Sequence, residues 1–543
     1  MKKIVYIAGI LMLACSTSVF AQGNEIDAYT LSNTELSGTA RSMAMGGAFG
    51  ALGGDISVLS TNPAGLGIYR SSEISGTFDL STASSSTNWN GMKNNLSRTG
   101  FTLDNFGFQL YFPTGSDGGI MNWNLGFSFN RLKNFNRKYR MESNGQDFSL
   151  ADYTASKASY IDERDLQYVK DEYDPYYNSN LSGQWLSVLG YEAGMFGNIT
   201  GNGNNIYHNA FGRWNGDNWN ISGPSSTMLA VTESGSVDEY NIGLGTNILN
   251  IVFLGTSLSF TEINYRMTST YDEQFKSAPN MVGRVETDDL YLDNRLNTEG
   301  SAVSINVGAI VNLELLRLGV AYNSPRYYNM TDYYNADAGS YINGYDQPEA
   351  KSSTPNDSYS EYSFRSPDKW TFSAALLFGQ FALVSADYEL TNYGKMRFAD
   401  RDGDDYGYEM NKDIKSDFSS SNALRLGVEV KVTPRLAIRA GYATQLSPMS
   451  DKLVNNDVEV MPSGTIPHFT TSSNAVNYYT LGFGYRFTPN IFMDFAYILR
   501  KYDGKAYAFS STYYKDYDFD VISTPASLTS SSTRLALTLG YKF

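Results

Sequence analysis

Apolar and polar residues alternate with period two through much of this chain, most cleanly at its end. Leu535, Leu537, Leu539, Tyr541 and Phe543 fall on one face, and Arg534, Ala536, Thr538, Gly540 and Lys542 on the other. Period two predicts a strand. Fourteen such segments can be placed, at 72–81, 104–112, 121–130, 240–247, 254–262, 303–311, 316–323, 370–378, 382–390, 424–432, 436–443, 479–487, 491–499 and 533–543. Most are close to the roughly 9–11 residues with which a tilted strand crosses a bilayer. Phe106/Phe108/Leu110/Phe112 and Met121/Trp123/Leu125/Phe127/Phe129 are among the cleanest apolar faces. Gln109, Arg425, Glu429, Lys431, Arg439, Arg486 and Asp494 occupy the alternate positions. Charges there are cheap only if that face meets water, so the pattern predicts a lipid-facing exterior and a wet lumen.

The connections carry a second rhythm. Gaps at 113–119, 248–253, 312–315, 379–381, 433–435 and 488–490 are short. Those at 82–103, 131–239, 263–302, 324–369, 391–423, 444–478 and 500–532 are long. Short and long alternate, as in an antiparallel transmembrane barrel with short periplasmic turns and long extracellular loops. Thr433-Pro434-Arg435 and Thr488-Pro489-Asn490 share turn chemistry, with Pro where no ladder donor is needed. A soluble β-sandwich also alternates, but it does not gather its long loops at one end.

Composition sharpens this. Lys2 and Lys3 precede an apolar run over 4–14, and Val19-Phe20-Ala21 offers a cleavage site, so 1–21 reads as a secretory signal peptide. Cys15 raises a rival lipoprotein reading, but Met12-Leu13-Ala14 is a poor match for that signal. Cleavage after Ala21 removes the single Cys, leaving no thiol for a disulfide or a metal site. Loss of Lys2 and Lys3 takes the formal charge from −15 to −17, which argues against nucleic acid as a partner. Past the signal no apolar run is long enough for a transmembrane helix, so a span must be a closed barrel. No cofactor is called for.

Residues 22–71 do not read as a membrane strand. The stretch 38–49 is small and Gly-rich with single bulky residues, and Met43, Met45, Phe49, Leu52 and Leu59 are too apolar for a free tail. Asp55 is placed to cap a helical turn reaching Ser60, and Pro63 forces Asn62 out of the helical region. The expected place for such a compact segment is the barrel lumen, as a hatch over 22–71 ahead of a barrel over 72–543.

Ala40-Arg41-Ser42-Met43-Ala44-Met45-Gly46-Gly47-Ala48, then Asp55, then Asn62-Pro63-Ala64-Gly65-Leu66, resembles the hatch of the FadL/TodX family of outer-membrane transporters for long-chain fatty acids and other hydrophobic molecules. Gly319-Val320-Ala321-Tyr322-Asn323-Ser324-Pro325 and Arg365-Ser366-Pro367-Asp368-Lys369-Trp370 are similar to that family too. The resemblance implies a fourteen-stranded monomeric barrel in the outer membrane. It also implies capture of a hydrophobic solute in an apolar groove, passage to a pocket above the hatch, hatch movement and sideways release into outer-membrane lipid. The aromatic end at Phe543 resembles the terminal signal of outer-membrane barrels, which implies recognition by the barrel-assembly machinery.

Candidate residues follow. Trp185, Val188, Leu189, Met195 and Phe196 recur at helical spacing after Ser182 and are candidates to line the groove; packing onto their own loop is the alternative. Arg41, Ser42, Asn62, Pro63 and Ala64 are the hatch candidates, for ligand contact or for holding the plug. Asp400, Asp402, Asp404 and Asp405 alternate as Ca²⁺ ligands do, but Gly403 and Asn411 break the EF-hand pattern, and a solvated acidic turn fits better. No metal site is expected. His208 and His468 are the only possible imidazole bases, and no paired motif surrounds either, so no enzyme is expected. Tyr-rich outer segments, with Tyr327, Tyr328, Tyr333, Tyr334, Tyr513 and Tyr514, suit stacking on ligands or protein partners. That keeps a second reading open, because some members of the same barrel family serve type IX secretion or bind protein partners at the surface.

Overall fold

The computed structural model describes residues 23–115, 118–181, 183–198, 205–214, 219–220, 223–276, 287–343, 348–356, 358–404, 410–513 and 520–543. The signal peptide expected over 1–21 lies outside them, as do Ser182, Asp405 and Tyr514. The wall is built from β1 (Glu73–Trp89), β2 (Met92–Pro113), β3 (Ile120–Asn134), β4 (Ser226–Ile248), β5 (Val252–Lys276), β6 (Thr287–Leu313) and β7 (Leu316–Asn323). It continues through β8 (Lys369–Phe378), β9 (Ala382–Asn392), β10 (Ser420–Lys431), β11 (Leu436–Gln445), β12 (Val476–Arg486), β13 (Ile491–Tyr507) and β14 (Ala526–Lys542). Every neighbouring pair is antiparallel. β14 returns to β1, from Glu73↔Lys542 to Asn88↔Ser527, closing a fourteen-stranded barrel. Closure removes the sheet edges that lipid could not satisfy.

The pattern read at the C-terminus is the pattern of the wall. Leu535, Leu539, Tyr541 and Phe543 are exposed, while Ala536 and Thr538 are buried. Phe106, Trp123, Leu244, Leu258, Ile305, Phe372, Leu426, Ile438 and Leu481 continue an exposed apolar belt around the barrel. Thr433 and Thr488 organise their turns alike, each hydroxyl accepting the N–H groups two and three residues on, at 3.2 and 3.0 Å. The Phe543 N–H meets the Ser72 carbonyl at 3.0 Å, so the barrel segment begins and ends at the short-turn end.

The long connections differ from the expected loops, because much of them is strand. β4, β5 and β6 run for 23, 25 and 27 residues. Strands of that length extend about 75–90 Å, far beyond a membrane crossing. The stretch 82–103 is no loop either: β1 and β2 pair as far as Trp89↔Met92 and turn through Asn90 and Gly91, both at positive φ. Asn-Gly is the favoured pair for such a hairpin turn. Above β7 and β8, the strands Tyr327–Tyr341 and Tyr359–Arg365 prolong the sheet. These extensions enclose a cap whose core includes Trp89, Tyr153, Trp185, Leu189, Phe275 and Phe364.

Candidate functional site

The lumen is filled by the chain's own N-terminal segment. Helix Glu25–Ser32 lies uppermost, followed by the short helices Ala40–Ala44 and Val58–Thr61 and a 3-10 turn over Pro63–Ile68. Inward-facing groups bind it from all around the wall. The Ala40 N–H meets Thr538 Oγ1 at 2.7 Å, and Thr480 Oγ1 donates to the Ala44 carbonyl at 2.9 Å. The Gly50 N–H donates to Asp387 Oδ2 at 2.9 Å, and Ser257 Oγ donates to the Leu59 carbonyl at 2.9 Å.

Each hatch candidate has a definite place. Arg41 sends Nε to Glu429 Oε2 at 3.1 Å, and Glu429 is also held by Arg439, which reaches Asp494 at 2.6 Å. The Arg41 guanidinium also stacks 5.3 Å from the centre of the Phe49 ring. Ser42 is buried, its N–H capped by Thr39 Oγ1 at 3.1 Å. Asn62 sits at φ −143°, as a residue before Pro should. Its Oδ1 caps the Ala64 N–H at 3.2 Å, and its Nδ2 donates to the Gly50 carbonyl at 2.6 Å and more weakly to that of Ala309 at 3.5 Å. Pro63 and Ala64 press on the wall where it lacks side chains. A Cβ on Gly255 would lie 2.3 Å from the Pro63 carbonyl, and one on Gly308 would lie 1.9 Å from Asn62 Oδ1. Asp55 caps the turn that reaches Ser60: its Oδ1 accepts the Ser57 N–H at 3.0 Å and its carbonyl the Val58 N–H at 3.2 Å, while its carboxylate also accepts the Thr39 and Ser57 hydroxyls, each at 2.7 Å.

The candidate groove residues go elsewhere. A helix does form, at Trp185–Glu192. However, Trp185, Val188, Leu189, Met195 and Phe196 are all buried in the core of the cap. Trp185 stacks edge-on with Tyr176 and Tyr334. None of the five lines the lumenal chamber below. The apolar spacing read from the sequence is the inner face of a self-packed cap. Asp400 turns its own loop, with Oδ1 accepting the N–H groups of Asp402 and Asp404 at 3.0 and 2.7 Å. His208 lies in a two-residue ribbon opposite Phe196 and Gly197. His468 lies beside Phe469 near the top of the lumen. Tyr327 and Tyr333 point outward, and Tyr328 and Tyr334 inward, from one strand.

Sequence reading missed two features. The first is a chamber of about 150 Å³ in the upper lumen, bordered by Tyr29, Thr30, Asn33 and Glu35 of the N-terminal segment itself. Its lining mixes charged and apolar groups, with Asp79, Lys133, Thr471, Arg500 and Arg534 beside Tyr29, Leu132, Phe135 and Val476. Arg534 bridges Asp79 at 2.9 Å and Asp104. Asp104 is a bulge: the register slips between Thr77 and Phe78, so Asp104 and Asn105 both turn inward. The second feature is in the wall beside it. β2 and β3 pair only from Asn105↔Asn130 to Pro113↔Asn122. Above that point β2 stays with β1 to Met92, and β3 stays with β4 to Asn134↔Ser236 after a bulge at Arg131/Lys133. No ladder pair among the described residues joins 92–104 to β3. The β2/β3 ladder is missing there and side chains span the seam instead, Arg98 donating to the Glu233 carbonyl at 3.0 Å, with chamber residues Asp104, Arg131, Lys133 and Asn136 behind it.

A closed barrel with an apolar belt, prolonged strands and a lumen packed with its own N-terminus defines a multi-pass β-barrel of the bacterial outer membrane. Residues 237–543 match the family model described as outer membrane protein transport protein (OMPP1/FadL/TodX), and the chain belongs to that family of outer-membrane hydrophobic-compound transporters. Among solved structures it is similar to a Pseudomonas aeruginosa FadL homologue, with 12% identity, a TM-score of 0.51, and coverage of 94% of this chain and 99% of that one. It is also similar to the P. putida toluene transporter TodX, with 12% identity, a TM-score of 0.48 and coverage of 94% and 99%. No curated protein matches the chain.

Proposed function

We propose that this barrel moves fatty-acid-like hydrophobic molecules from the cell surface into the outer membrane and releases them sideways between β2 and β3. The observation that carries this is the ladder that stops at Asn105↔Asn130 beside the chamber. Directly below, residues 39–68 fill the lumen, so the straight route to the short-turn end is blocked. For a solute gaining about 0.8 kcal/mol for each CH₂ it removes from water, a side door into lipid is the downhill path. The N-terminal segment over 22–71 then acts as a hatch, with Arg41 and Asn62 holding it. The barrel works as a monomer, does no chemistry on its solute, and enters the membrane through recognition of its last strand.

Mass spectrometry of small molecules that co-purify with the barrel, paired with uptake of labelled laurate by cells with and without it, tests this. Bound amphiphiles and faster uptake are expected. Equal uptake and a barrel that carries secreted proteins but no lipid would replace transport with the protein-partner reading.

A further inference from the structure

On the outside of the wall, the ladder register lines up charges that the lumen does not use. Across β4, β5, β6 and the extension strands Tyr327–Tyr341 and Tyr359–Arg365, residues that face away from the barrel form level rows. Tyr240, Phe260, Val303 and Tyr327 make the top row of the apolar belt, and its aromatics mark the membrane surface. Arg365 continues that row, and Arg397 of the short strand Arg397–Ala399 lies directly opposite it. One step higher stand Asp238, Glu262, Ser301 and Asn329. The next step carries Asn264, Glu299, Thr331 and Glu361. An open groove of about 620 Å³ runs over these two polar rows, with Arg401 at its edge.

Two like-charged pairs meet here, Asp238↔Glu262 at one end and Arg365↔Arg397 at the other. Like charges directly opposite each other destabilise a sheet, and a ligand of complementary charge relieves them. Asp238 is held by Arg131 at 2.9 Å, but Glu262 and Arg365 form no hydrogen bond or ion pair with any described residue. Glu262, Glu299, Arg397 and Arg401 are exposed, so a ligand reaches them from the membrane side. The carboxylates accept from hydroxyl, amide or amine donors, and the guanidinium groups suit a phosphate. Glu262 and Arg365 are three strands apart, or about 15 Å at the usual strand spacing. A phosphoethanolamine head is too short to touch both ends, whereas a phosphorylated disaccharide spans them. The apolar belt directly below receives the acyl chains of the same molecule.

We propose that this patch of the outer wall binds a phosphorylated saccharide lipid of the outer leaflet, with a phosphate on Arg365 and Arg397 and the sugar donors on Glu262 and Glu299. The site is separate from the lumen and does not rest on the transport reading.

Native mass spectrometry of the intact barrel in detergent, titrated with defined lipids, tests this. Bisphosphorylated lipid A should be retained as a single adduct about tenfold more than phosphatidylethanolamine, the size of one hydrogen bond to a charged group. Arg365→Gln/Arg397→Gln should remove that preference, and Glu262→Gln/Glu299→Gln should reduce it severalfold. Lys501→Gln, at an exposed cation on β13, should leave it unchanged. Heat-modifiable migration on gels confirms that each variant is folded. Equal retention of the two lipids, or a preference that survives both double substitutions, would overturn the proposal. So would a loss with Lys501→Gln as large as that with the arginines, because the attraction would then be one of charge alone. Glucosamine 6-phosphate, which has the head chemistry without the chains, should not displace the lipid at equal concentration; displacement would assign the patch to a soluble sugar phosphate instead.

Discussion

Asn62 shows how much one side chain can organise. It caps the turn that follows it, ties that turn to Gly50 across the segment, and reaches the wall at Ala309. Asn62→Ala should lower unfolding stability by about 1–3 kcal/mol, since buried partners lose their bonds. Urea titration in detergent measures it. Glu429 is a second fastening point, shared by Arg41 of the lumenal segment and Arg439 of the wall. Glu429→Gln leaves two guanidinium groups facing a neutral amide in a buried setting, and a loss of about 3 kcal/mol is expected by the same titration. Asn62-Pro63-Ala64 was legible through its resemblance to the family's hatch, within a segment whose Met43, Met45, Phe49, Leu52 and Leu59 are too apolar for a free tail. Gly308 and Gly255, against which it seats, were not singled out. Glycine at a lumen-facing strand position marks close backbone approach, and that signal was available. Gly308→Ala puts a Cβ into the place of Asn62 Oδ1 and should mimic Asn62→Ala.

At the scale of elements, the cap carries a pH dependence. Helix Leu150–Ala158 begins at Ser149, whose hydroxyl meets Glu273, while the Leu150 N–H donates to Glu273 at 3.0 Å. Asp152 closes the capping box at 2.8 Å. Burial pushes the Glu273 carboxyl up to about 7 and the Asp152 carboxyl up to about 7. The folded cap therefore holds protons that the unfolded chain releases near pH 4. The sign follows: this stabilisation is complete below about pH 4 and is lost as pH rises through about 7. Protease cleavage within 150–158 should be severalfold slower at pH 5.5 than at pH 8, and Glu273→Gln should flatten that difference. Nothing in the period-two pattern revealed this arrangement, because burial of an acid is a tertiary fact. The membrane strands were legible because lipid enforces apolar contrast. The extension over 82–103 is not legible as strand in the same way, because its many Ser, Thr and Asn residues show no such contrast, although Asn90-Gly91 marks the hairpin.

For the whole molecule, closure and filling together decide where a solute can leave. Thirteen of the fourteen seams were implied once strand number and loop rhythm were read. The broken upper half of the β2/β3 seam was not, since it depends on bulges at Asp104 and Arg131/Lys133 that alternation alone does not locate. The break can be closed by design. A Cβ on Gly100 would lie 3.0 Å from Asn136 Nδ2 and 4.0 Å from its Cγ, which puts paired cysteines there within bridging reach. The chain's one natural cysteine, Cys15, lies in the expected signal peptide and would not compete. In the Gly100→Cys/Asn136→Cys protein, oxidation should staple β2 to the chain just beyond β3 and stop laurate uptake, and reduction should restore it. The unoxidised protein and each single variant should transport as the parent does. If the stapled barrel still takes up laurate at the parental rate, the solute does not pass between these strands, and the lumenal segment would have to open a path to the short-turn end. Deleting residues 39–68 would then raise uptake, whereas with a working side door it should chiefly raise ion conductance in planar bilayers.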